Sequence, residues 1–318
     1  MDSSESVCAF ENIAFENIRA VPPMIPTFVA MALSHGHLRS PVRGTPMPST
    51  AKTSRAIAFG LLLAPMSAAF GQDRTARSME DCRDRWGGNR DERFCESREV
   101  TLAAAKSLTA DGRDNGGVTV HGWDKNEIKV VAVVRAEART EAEARDIAKE
   151  VRVLTDGAAV RAEGPRNLAR RDSWWVSYEI WVPRQTDLRL MANNGGLSVD
   201  GVNSRIDLET NNGGITLTDV DGDVRGSTSN GGVTVELTGD RWKGAGLDLR
   251  TSNGGVHLYI PNGYSARLET GTTNGGMDIN FPITVQGTIG RRLSTQLGSG
   301  GSTIRAITTN GSVSIRRR

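Results

Sequence analysis

From Asp187 onward, apolar residues fall at alternate positions in short bursts separated by polar or glycine-rich stretches. Leu197-Ser198-Val199, Ile206-Asp207-Leu208, Ile215-Thr216-Leu217, Val233-Thr234-Val235, Leu247-Asp248-Leu249 and Val256-His257-Leu258 all read apolar, polar, apolar. Alternation of this kind predicts short β-strands with one face buried and the other solvated. The bursts are punctuated by a recurring corner, Asn-Gly-Gly before an apolar residue, at Asn115, Asn194, Asn212, Asn230, Asn253 and Asn274. Ser299-Gly300-Gly301 and Asn310-Gly311-Ser312 are degenerate copies, and from Asn194 to Asn274 the spacing is 18, 18, 23 and 21 residues. Self-similarity at this period is the mark of a repetitive architecture.

Two architectures fit. Asn-Gly can close a hairpin in an antiparallel β-meander, or each unit can be one coil of a β-solenoid with equivalent Asn stacked and their amides paired. The recurring Asn, two strands per unit and insertions confined to one corner favour the solenoid. The expected fold is therefore all-β, a repetitive β-solenoid-like domain with one short helix near its N-terminal end, the meander being the alternative. In either form the glycines are expected to take positive φ and the Asn to tolerate the left-handed region.

Upstream the period changes. Residues 99–110, 117–121 and 127–137 read as strands, and Thr140-Glu141-Ala142-Glu143 is a capping box. It precedes Ala144, Ile147, Ala148 and Val151 at helical spacing, which predicts a helix over 141–152. In Trp174–Pro183, Trp174, Val176, Tyr178, Ile180 and Val182 share a core face. Trp175, Ser177, Glu179 and Trp181 share the other, and Trp175 and Trp181 are the expected floor for the Ala-rich helix.

Lys52 and Arg55 precede an apolar run from Ala56 to Ala64 and a small-residue stretch, Ser67-Ala68-Ala69-Phe70-Gly71. This is the pattern of a secretory signal peptide, too short to span a bilayer. It predicts a domain order of a mis-assigned or disordered leader (1–46), a signal peptide from Met47 (47–71) and a polar loop (72–98). The strands and helix (99–186) and the repeats (187–318) complete it. Full-length, the chain has 39 Lys+Arg and 37 Asp+Glu; five and four of these precede Gln72, leaving 34 and 33. A net charge near zero excludes nucleic acid as the expected partner. Cys82 and Cys95 form an even pair in an exported segment, which predicts a disulfide contributing about 3 kcal/mol by closing a short loop.

The Trp174–Pro183 strand followed by Thr-x-Asn-Gly-Gly units resembles the bacterial putative-adhesin domain of unknown function. The resemblance covers residues 97–318. It implies an exported or membrane-attached solenoid-like protein acting at the cell surface, and it supplies no catalytic or ligand residues to carry over. The mature chain itself is expected to have no transmembrane anchor and to be periplasmic or secreted.

The chemistry of the side chains narrows the function further. Outward Asp207, Glu209, Asp248, Glu269 and Asp278 are scattered as on a solvated face, and His121 and His257 have no sequence neighbours that suggest a site. Asp219, Asp221 and Asp223 alternate like a calcium loop but lack its glycine at position six and its acid at twelve, so a polar corner is expected. Neither a cofactor nor a metal is expected, and the reading is a non-catalytic binding or scaffold module. A carbohydrate-active β-helix enzyme is the alternative. Trp86, Trp242 and Tyr264 are the candidate exposed rings for stacking on an envelope glycan, each equally able to cap a coil end; an envelope protein is the other candidate partner.

Overall fold

The computed structural model describes residues 92–282 and 290–318. The leader, the signal peptide, Cys82 and Trp86 lie outside them. Strands β1 (Glu92–Ala103), β2 (Ser107–Asp111), β3 (Val118–Trp123) and β4 (Glu127–Ala138) precede helix α1 (Glu141–Glu150). Then come β5 (Arg152–Leu154), β6 (Ala159–Glu163), β7 (Ser173–Pro183), β8 (Asp187–Ala192), β9 (Leu197–Asp200) and β10 (Asn203–Thr210). The repeats continue as β11 (Ile215–Thr218), β12 (Asp221–Asn230), β13 (Val233–Glu236), β14 (Gly246–Asn253), β15 (Val256–Ile260), β16 (Ala266–Asn274) and β17 (Met277–Asn280). The last strands are β18 (Arg292–Leu297), β19 (Thr303–Asn310) and β20 (Val313–Arg317).

The strands form two ten-stranded sheets, ordered β1-β4-β7-β3-β9-β11-β13-β15-β20-β17 and β18-β16-β19-β14-β12-β10-β8-β2-β6-β5. From β8 to β17 the chain alternates between the sheets, and pairing among these strands and β19–β20 is parallel, as between β9, β11 and β13; β18 instead pairs antiparallel with β16 at the edge of the second sheet. A meander would pair them antiparallel, so the architecture is the solenoid. Between the sheets lie the inward residues of each burst, among them Ile206, Ile215, Leu217, Val233, Val235 and Leu249, all buried. Each contributes about 1.5–3 kcal/mol by leaving water.

Coil order departs from chain order at both ends of the stack. The β2–β3 coil lies between the later coils β6–β7 and β8–β9, and the last coil, β19–β20, lies between β14–β15 and β16–β17.

Helix α1 carries its capping box as built: the Glu143 amide donates to the Thr140 hydroxyl, and the Glu143 carboxylate accepts from the Thr140 amide. It ends at Glu150 because Val151 is extended (ψ 129°), two residues short of the expected boundary. Its floor is β1 and β4, not the tryptophans. Arg98 of β1 donates to the carbonyls of Ala148 (2.8 Å) and Val151 at the helix C-terminus, the end at which a cation is favoured.

The Asn-Gly-Gly corners carry the chain from the second sheet to the first, and each residue there has a different task from the one expected. Among the described residues, the only non-glycine positive φ values are at Arg113 and Asp219, and neither glycine of the corners at 195–196, 213–214, 231–232 or 254–255 has one. The glycines are there for close approach. A Cβ on Gly195, Gly213, Gly231 or Gly254 would lie 2.0–2.1 Å from the carbonyl oxygen of the preceding corner's glycine. The Asn side chains form one exposed amide ladder. Asn194 donates to Asn115 (3.0 Å), Asn212 to Asn194 (2.7 Å), Asn230 to Asn212 (2.8 Å), Asn253 to Asn230 (2.9 Å), Asn310 to Asn253 (2.8 Å) and Asn274 to Asn310 (2.8 Å). An amide both donates and accepts, so identical residues can stack in register. Beneath it, Thr210, Thr228, Thr251 and Thr308 donate to the carbonyls of Gly195, Gly213, Gly231 and Gly254.

Because the ladder amides are exposed, Asn230→Ala is expected to cost about 1 kcal/mol, near the net value of an ordinary hydrogen bond. Thr234→Ser, on a solvated strand face, is expected to stay within about 0.5 kcal/mol. Urea midpoints decide it, and equal effects at the two positions would mean that the ladder adds nothing.

The solvated face of the second sheet carries a row of charges that alternates strand by strand. Arg189, Asp207, Arg225, Asp248, Arg305 and Glu269 are consecutive partners in register. The tighter ion pairs lie along the strands instead, as in Arg250–Asp248 at 2.9 Å and Arg267–Glu269 at 3.1 Å. These exposed pairs contribute little individually.

Candidate binding face

The outward face of the first sheet presents a different row. Lys129, Trp181, His121, Asp200, Thr218, Glu236, Tyr259 and Arg316 stand in register on β4, β7, β3, β9, β11, β13, β15 and β20. Its aromatic end is dense. The His121 and Trp181 rings are 5.5 Å apart, Trp123 is 6.5 Å from Trp181, and all three are half-buried. The Lys129 ammonium lies 5.5 Å from the Trp181 ring and that of Lys125 lies 4.7 Å from the Trp123 ring, within cation–π range. Trp123 is oriented by its indole N–H, which donates to the Glu127 carbonyl at 2.8 Å.

His121 sits between two carboxylates, its Nε2 3.3 Å from Glu179 and its Nδ1 3.7 Å from Asp200. These three residues come from strands 58 and 79 positions apart in the chain. Sequence adjacency therefore gave His121 no visible neighbour; parallel stacking gives it two acids and the Trp181 indole. His257 shares its row with Thr234 and Ser314 and gains no such company.

Two candidate rings are corrected outright. Trp242 and Tyr264 are 4% and 2% exposed, so they cannot stack on a ligand. Each lies in the longer loops that return the chain from the first sheet to the second, where the shorter corners have buried Val202 and Val220. The two loops stack through a bridge between Arg241 and Ser265, and the Trp242 indole donates to the Gly222 carbonyl at 3.0 Å. Burial pushes the Tyr264 hydroxyl well above the ordinary tyrosine range. A signal was present: Val202, Val220, Trp242 and Tyr264 stand four or five residues before Ile206, Val224, Leu247 and Leu268, the inward residues that share one register row.

The Asp219–Asp223 segment is a corner whose carboxylates serve separate partners. Thr238 donates to Asp219, the Lys243 amide donates to Asp221 at 2.9 Å, and Asp223 pairs with Arg225 at 3.2 Å. Burial raises the Asp221 carboxyl, only partly offset by that amide and the Lys243 charge. Among the described residues, no three His, Cys, Asp or Glu are grouped to hold a metal ion. Cys95 lies on β1 opposite Arg135.

Solved structures similar to this chain include the following three. A "putative cell adhesion protein" from Clostridium sporogenes is 14% identical, with 70% of this chain and 100% of that one covered and a TM-score of 0.40. A "putative adhesin" from Bacteroides fragilis is 8% identical, covering 70% and 97%, with a TM-score of 0.30. A "putative lipid binding protein" from Parabacteroides distasonis is 11% identical, covering 70% and 96%, with a TM-score of 0.27. No curated protein matches the chain. The Toastrack DUF4097 family model matches residues 105–316, and the chain belongs to that family.

Proposed function

We propose that this chain is an exported, non-catalytic envelope module that holds an envelope glycan or envelope protein on the outward face of its first sheet, or acts there as a scaffold. The row Lys129–Trp181–His121, with Trp123 beside it, supports the reading. Indole faces and cations placed side by side suit stacking on sugar rings or on another protein's edge. Export follows from the segment at 47–71, and no helix among the described residues is long and apolar enough to cross a membrane. In an oxidising compartment Cys82 and Cys95 are proposed to pair, which intact mass with and without reductant reads directly.

The function test is retention of the chain on envelope extracts and on a glycan array, with every bound fraction checked for cleavage. Trp123→Ala with Trp181→Ala is expected to lower retention at least about tenfold, the scale of losing two aromatic anchors. Product release abolished by Glu179→Gln would replace the binding reading with the carbohydrate-active enzyme.

A further inference from the structure

The amide ladder has a direction. Every rung donates toward Asn115, whose Oδ1 accepts from Asn194 while its own Nδ2 donates to no described residue. Beyond Asn115 the next coil, β6–β7, lacks an Asn-Gly-Gly corner and instead crosses by residues 164–172. The mismatch leaves a cleft of about 630 Å3 lined by Arg113, Asn115, Arg166, Trp174, Trp175 and Tyr178, among others.

Three features of the cleft suit a polar ligand. Tyr178 is 3% exposed and lines it, yet its hydroxyl is buried without a hydrogen-bond partner. A group left in that state is costly, and a bound polar atom relieves it. Arg113 holds φ 54°, a conformation in which glycine would be the unstrained choice. That turn is held by the Arg113 amide donating to Asp111 and its carbonyl accepting from the Asn193 amide, both at 2.8 Å, and it leaves the guanidinium at the cleft, 3.9 Å from the Asp111 carboxylate. Asn115 ends a chain of aligned amides, which polarise one another and strengthen the terminal donor. Trp174 is fixed by its indole N–H donating to the Pro165 carbonyl at 2.9 Å and by Gly164, whose Cβ would fall 2.6 Å from the ring.

We infer that this cleft binds a neutral saccharide unit of one or two sugar rings, with Asn115, Arg113 and Tyr178 meeting its oxygens and the Trp174 ring its apolar face. The volume suits a ligand of that size. The lining also includes Asp114, Glu163 and Asp172, so both charge signs are present, which favours hydroxyl groups over a polyanion. The inference rests on the binding-module reading and adds a ligand class and a place. It is separable from the outward row, since the cleft contains none of Trp123, Lys129, Trp181 or His121.

The purified chain is titrated with a panel of neutral mono- and disaccharides, N-acetylated hexoses included, to about 10 mM, enough to detect millimolar binding. The indole N–H resonance of Trp174 reports it. Arg113→Gly relieves the left-handed strain and Tyr178→Phe removes an unpartnered hydroxyl, so both variants are expected to keep the parent melting temperature. Each is expected to weaken binding about three- to tenfold, the net value of one hydrogen bond. No indole shift with any sugar overturns the inference, as does binding indifferent to both variants. Sugar binding lost in Trp123→Ala/Trp181→Ala but intact in Arg113→Gly would remove the cleft and leave the outward face standing.

Discussion

Deletion of Thr303–Arg318 is expected to abolish cooperative unfolding, although it removes only the C-terminal coil. In a solenoid stacked in chain order, losing the last coil trims one end. Here β19 lies between β14 and β16, and β20 lies between β15 and β17. The deletion therefore takes out an interior layer, including the fully buried Ile304, Val313 and Ile315. At about 1.5–3 kcal/mol each, these three alone approach the whole stability of an ordinary domain, about 5–15 kcal/mol. The Asn310 rung goes with them, parting Asn253 from Asn274. Circular dichroism melts and limited proteolysis after Asn253 report the result. A two-state melt within about 5 °C of the parent, equivalent to roughly 2 kcal/mol for a domain of this size, would show that the flanking coils close up at little cost.

Gly213→Ala should cost at least about 4 kcal/mol, the scale reached only by severe core lesions, while Gly232→Ala should stay within about 1 kcal/mol. The two are the first and second glycines of successive corners. A Cβ at Gly213 would lie 2.0 Å from the Gly195 carbonyl oxygen, so two coils would have to separate; at Gly232 the nearest atom, the Gly255 oxygen, is at an ordinary 3.4 Å. Neither position has positive φ, so backbone strain does not distinguish them. Matched urea denaturation of the two variants reads the difference. Equal losses would return the corners to a conformational explanation.

The parallel solenoid was legible because period two and the recurring Asn both survive insertions in the opposite corner. Residue roles at the corner were less legible. A Gly pair reads the same whether it supplies positive φ or lets backbones touch, and the choice depends on the coil above. Trp242 and Tyr264 sit among Asp, Arg, Asn and Gly, so local polarity hid rings that a neighbouring loop covers. The aromatic row was missed for the converse reason: Trp181, His121 and Asp200 meet only through register between strands far apart in sequence. Non-sequential coil order has no local signature at all, because it is decided by which surfaces fit after the chain has turned.

The alternating charges on the second sheet bear on that choice of order. If the stack followed the chain, the coil bearing Glu269 would rest directly on the coil bearing Asp248, setting carboxylate beside carboxylate. The C-terminal coil places Arg305 between them, paired in register with both and 3.6 Å from Glu269. Like charges directly opposite are unfavourable and opposite ones favourable by roughly 0.2–1 kcal/mol. The row thus works as a parity check on assembly: a stack with one coil missing or misplaced there fails to alternate, and the arrangement that alternates is the interleaved one.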